Sequence, residues 1–139
     1  MNHYTWSDLS LGMQAQFEVT LQASMLDAFA ALSGDTNPLH QDEQIARQRG
    51  FPGRVAFGML TSAFYSQLAG VHLPGSNCLL HGIDIEFRNP AFVGDTLTVS
   101  GEITFLNEAY HRLEIKAAIR NQQGKPISKA VIRAGIHAA

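Results

Sequence analysis

From Val55 to Ile83 the chain carries no Asp, Glu, Lys or Arg, and within that run Gly58 to Ala69 is apolar or small on nearly every side. A helix with that pattern has no face to give to water and must be surrounded by other parts of the fold. The run is not a bilayer span, because Gly58, Thr61, Ser62, Ser66, Gln67, Gly70, His72 and Pro74 interrupt it too often. Gly70 is the expected C-terminal stop of the helix.

The rest of the chain supplies the cover. Gln14 to Gln22 reads as a strand, with Phe17, Val19 and Leu21 alternating against Glu18, Thr20 and Gln22. Alternation returns at Ile83, Ile85 and Phe87, at Leu97, Val99, Ile103 and Phe105, at Leu113, Ile115, Ala117 and Ile119, and from Ile127 to Ile136. Asn89-Pro90, Gly94-Asp95, Asn107 and Gly124 fall between these runs as the turns of an antiparallel meander. The expected architecture is α+β, one long central helix wrapped by one curved antiparallel sheet. At 139 residues the whole chain, 1–139, reads as one domain, too short for two ordinary cores.

Shorter helices precede the central one. Ser24 with Asp27 makes a capping-box signature, and Met25, Ala28, Phe29 and Leu32 recur at helical spacing until Gly34. Asp42 caps a second helix, Glu43 to Arg49, which Gly50 and Pro52 terminate. Between them lies Gly34-Asp35-Thr36-Asn37-Pro38-Leu39-His40, a segment built to bend. Were it helical, His40 would be turned about 140° away from Asp35, so the helix must break for the two to meet. Gly34 and Pro38 break it, and Asn37 can close the turn with its own side chain. A carboxylate and an imidazole converging on one water molecule is acid–base chemistry in outline.

Composition narrows the partners. A formal net charge of -2 and a pI near 6.3 leave no electrostatic footprint for nucleic acid, and no Lys/Arg-rich run suggests an anionic membrane. Charged residues make up only 16% of the chain, so an unusual share of surface is expected to be covered by self-association as a homodimer. The first residues lack a secretory signal and Cys78 stands alone, which fits a reducing, cytoplasmic setting. His72, Cys78 and His81 make a poor ligand set, and no metal is expected.

Phe29 to His40, followed by Ala46, resembles the signature of the MaoC-like dehydratases, which include the (R)-specific enoyl-CoA hydratases. The likeness extends to Gly58-Met59-Leu60 and to Phe87-Arg88-Asn89-Pro90-Ala91-Phe92-Val93-Gly94-Asp95-Thr96-Leu97. It implies the hotdog fold, usually dimeric, acting on a coenzyme A or acyl carrier protein thioester with no cofactor. It also implies that Asp35 and His40 hold and activate one water, that the Gly58 N–H binds the thioester carbonyl, and that Ser66 braces the aspartate. Many members have His before the central glycine, where this chain has Phe57.

The chemistry stands on its own terms. Adding water to an α,β-unsaturated thioester needs a base for the water, an acid for the α-carbon and a donor for the enolate oxygen. Asp35, His40 and Gly58 can fill those roles, with Asn37 in support. Ser66 could equally bond back to Ser62. Arg47, Arg49 and Arg54 could meet coenzyme A phosphates or form a solvated face. By the resemblance Phe57 adjoins the acyl end of the site, and Phe64, Tyr65, Leu68 and Ala69 either line an acyl tunnel or pack as core. Two rivals remain: thioester hydrolysis, disfavoured because Gly58 to Gly70 contains no acid, and a non-catalytic hotdog that binds acyl thioesters.

Overall fold

The computed structural model describes residues 1–137. A 3-10 turn at Trp6–Asp8 leads into β1 (Gln14–Thr20), α1 (Ala23–Ser33), α2 (Pro38–Gln41), α3 (Glu43–Gln48) and α4 (Gly58–Gln67). A π-helical turn, Leu68–His72, prolongs α4 before β2 (Cys78–Phe87), β3 (Thr96–Asn107), β4 (Arg112–Arg120) and β5 (Pro126–Ile136). The five strands make one antiparallel sheet in the order β1-β3-β4-β5-β2. Only β3 to β5 form the expected meander; β2 pairs with β5 instead of with its successor. The helical segment between β1 and β2 crosses the inner face, so β2 enters at the opposite edge.

Register puts the apolar set on that inner face. Val19 faces Leu97, Phe17 faces Val99, and Ile115 lies between Ile103 and Ile132, while Leu97, Val99, Ile103, Ile115 and Ile132 are at most 1% exposed. Period-two alternation makes this one continuous apolar layer, and α4 with its π-helical turn packs on it through Leu60, Tyr65, Leu68 and Ala69. Gly101 marks the closest approach: a Cβ there would stand 2.8 Å from both Leu68 Cδ2 and Ile115 Cγ2. No helix among the described residues is long and apolar enough to cross a membrane.

Four local expectations need correction. β1 stops at Thr20, because Leu21 leaves the strand to exchange hydrogen bonds with the Gly94-Asp95 turn, its N–H donating to Asp95 O at 2.8 Å. The N-cap of α1 is Gln22, without a side-chain hydrogen bond, so Ser24 lies inside the first turn and makes no capping box. Gly70 is not a stop; the Leu73 N–H donates to Leu68 O at 2.8 Å, closing a wider turn that keeps Leu68, Ala69 and Leu73 all in the core. Nor is α4 surrounded within one chain, since Met59, Ala63, Ser66 and Gln67 are exposed along one side.

Candidate active site

The bend forms from local hydrogen bonds. Gly34 caps α1 in the left-handed conformation, φ 75°, with its N–H donating to Ala30 O, and this turns the chain out at Asp35. Asp35 Oδ1 accepts from the Asn37 N–H at 3.1 Å, and Asn37 Oδ1 accepts from the Leu39 N–H at 3.1 Å. Two Asx turns in series thus replace helix. Pro38 opens α2, a single turn in which His40 is the third residue, and Asp42 caps α3 through the Ile45 N–H.

His40 is fixed by the strap that leads into α4. Its Nδ1 lies 2.7 Å from the Val55 carbonyl oxygen. A carbonyl only accepts, so Nδ1 carries a proton, and in the neutral form of the ring the lone pair is on Nε2. One ring face rests on Phe57, centroids 4.2 Å apart, and Phe29 packs against Phe57 at 4.9 Å. Asp35 is exposed and makes no direct hydrogen bond with His40 among the described residues.

Gly58 begins α4, and its N–H meets no acceptor among the described residues. Its carbonyl is held twice, by Thr61 Oγ1 and Ser62 Oγ, each at 2.8 Å. The residue is therefore held at its carbonyl and carries a free donor at its N–H, where the helix dipole adds positive potential. A Cβ at Gly58 would stand 2.9 Å from Phe87 Cε1, so the ring of a half-exposed Phe87 lies against this glycine.

Several sequence-predicted site residues are placed differently. Phe57, Tyr65 and Ala69 are core, each at most 2% exposed. Tyr65 shares a hydrogen bond of 2.8 Å with Ser128, and burial raises its pKa. Ser66 is exposed and is bonded neither to Asp35 nor to Ser62; back-bonding falls to Thr61 and Ser62 instead. Arg47 pairs with Glu43 at 2.9 Å with both side chains exposed, whereas Arg54 is turned inward onto Asp27 and the His40 carbonyl. Reading the sequence missed Val55, Phe87 and the Thr61–Ser62 pair, of which only the pair carried a signal: hydroxyls three and four positions after a helix-opening glycine.

Other candidates fall away. A broad groove of about 950 Å³ lies on the outer face of the sheet, lined by Gln16, Ser100, Lys116 and Lys129 among others, and contains no residue of the bend. No group of three His, Cys, Asp or Glu among the described residues could hold a metal.

The MaoC-like domain model matches residues 9–123. The chain belongs to the MaoC-like family. It is 39% identical over 100 residues to an (R)-specific enoyl-CoA hydratase of Aeromonas caviae, covering 72% of this chain and 75% of that protein. A second (R)-specific enoyl-CoA hydratase, from Rhodospirillum rubrum, is 36% identical over 104 residues, covering 75% and 72%. The solved structure of an (R)-hydratase from A. caviae superposes with a TM-score of 0.89 at 33% identity, covering 92% of this chain and 97% of that one. The fold is the hotdog, and the chain is a hydro-lyase.

Proposed function

We propose that the chain hydrates trans-2-enoyl thioesters to the (R)-3-hydroxyacyl product, and catalyses the reverse dehydration, at Asp35, His40 and Gly58. The observation that carries this is the 2.7 Å contact between His40 Nδ1 and the Val55 carbonyl, which assigns the lone pair of the neutral ring to Nε2, next to the bend that presents Asp35. A water held between the Asp35 carboxylate and His40 Nε2 adds through its oxygen to the β-carbon as Nε2 takes its proton. Electron density moves onto the thioester oxygen, which the Gly58 N–H stabilises. The His40 imidazolium then returns the proton to the α-carbon, so the step balances without an external acid or a cofactor. Oxyanion donors of this kind contribute on the order of 10²–10³ in rate.

The substrate carrier is coenzyme A or acyl carrier protein, and the working unit is a homodimer of one-domain chains in a reducing, cytoplasmic compartment. Support for the dimer comes from the uncovered side of α4 and from Leu79 and Leu80, about half exposed on the edge strand β2. Purified protein assayed on trans-2-enoyl-CoA esters of graded length, scored for loss of enoyl absorbance and for free thiol, tests the reading. Enoyl loss without thiol release is expected. Thiol release would make the chain a thioesterase, and silence in both channels a binding module.

A further inference from the structure

Arg54 is tied to the bend at two points. Its Nε donates to the His40 carbonyl oxygen at 2.8 Å, and an Nη donates to Asp27 Oδ1 at 2.7 Å. The Arg54 side chain is 15% exposed against 67% for Asp27, so the guanidinium sits under the surface and the carboxylate closes over it. A one-turn helix such as α2 cannot satisfy its own last carbonyls. Asp42 N–H takes Pro38 O, Val55 N–H takes Leu39 O at 3.3 Å, and Arg54 takes His40 O. With Val55 O on the His40 ring, the dipeptide Arg54-Val55 holds His40 by both backbone and side chain.

The Asp27 bridge extends this hold to the other half of the site. Asp27 lies on α1, and α1 ends at Gly34 to release Asp35. One guanidinium thereby connects the helix that delivers the carboxylate to the helix that carries the imidazole. Arg suits the place because its planar fork directs Nε and Nη donors at separate acceptors, which a point-like ammonium cannot do.

We infer that Arg54 is a positioning residue, which sets His40 against Asp35 by bridging the His40 carbonyl to Asp27. This rests on the hydratase reading above. Because small misplacements of reacting groups are costly, Arg54→Ala should lower kcat about 10- to 100-fold. The loss should be the same on an enoyl-CoA and on an N-acetylcysteamine thioester, which has no phosphates. Arg54→Lys should not restore kcat. Asp27→Ala, at an exposed side chain, should lower kcat in the same direction, and the Arg54→Ala/Asp27→Ala double variant should be no worse than Arg54→Ala alone.

A second reading is spectroscopic: in protein labelled with ¹⁵N-histidine, the protonated Nδ1 signal of His40 should weaken or average in Arg54→Ala. A defect confined to KM, absent on the truncated thioester and rescued by Lys, would make Arg54 a phosphate contact and overturn the inference. So would unchanged kcat and an unchanged His40 signal in an active protein. Should Arg54→Ala not fold, Asp27→Ala carries the same expectation. Wild-type inactivity on both thioesters would instead sink the hydratase reading itself.

Discussion

His40 meets a different constraint on each side: a carbonyl at Nδ1, a guanidinium at its own carbonyl, and the Phe57 ring beneath. Phe57 is 2% exposed and backs the site from the core. Its removal takes away packing against both His40 and Phe29, so Phe57→Ala should destabilise the fold by about 3–5 kcal/mol, measured by urea denaturation. A cost under about 1 kcal/mol would mean the ring is not the support described. The bend between Asp35 and His40 and the helix start at Gly58 were legible in the sequence because they are decided within a few residues, by Gly34, Asn37 and Pro38. Val55 was not, since the contribution is a carbonyl that any residue owns. The direction of Arg54 was not legible because a charge in a sequence has none, and only its burial against Asp27 fixes one.

Among the elements, α2 is the most dependent on a single cap. Asn37 Oδ1 satisfies the Leu39 N–H at the start of a helix of one turn. Asn37→Ala should cost about 1 kcal/mol in stability, and kcat should fall with it because His40 rides on that turn. Unchanged activity would separate the cap from the chemistry. The π-helical turn gives a test whose sign decides. Gly70 has helical rather than left-handed backbone, and nothing lies within 4 Å of a Cβ built there. Gly70→Ala should therefore stabilise by about 0.4–1 kcal/mol in thermal or denaturant melts, whereas a glycine stop would make the same change destabilising. Helix and strand periods were readable locally, but the wide turn was not. It exists because Leu68, Ala69 and Leu73 must all reach the core, a requirement set by the sheet and not by the neighbouring sequence.

For the whole molecule, the uncharged run had implied a rod enclosed on every side, yet one side of α4 stays open in a single chain. The curved sheet covers the other side, and the edge strand β2 leaves Leu79 and Leu80 exposed beside unpaired backbone. Sedimentation at micromolar concentration should find a dimer, and Leu80→Lys should shift it toward monomer; a monomeric wild type would contradict this. Strand order was the least legible feature, because the partner of β2 is chosen by where the helical crossing ends. The proposed chemistry turns on one water shared by Asp35 and His40. The most direct measurement is kcat/KM on a trans-2-enoyl-CoA for wild type, Asp35→Asn, His40→Ala and the double variant. Each single change should cost at least about 10²-fold and the double little more than either, because the pair acts as a unit. Losses that multiply would mean that Asp35 and His40 act separately, and would contradict the shared water.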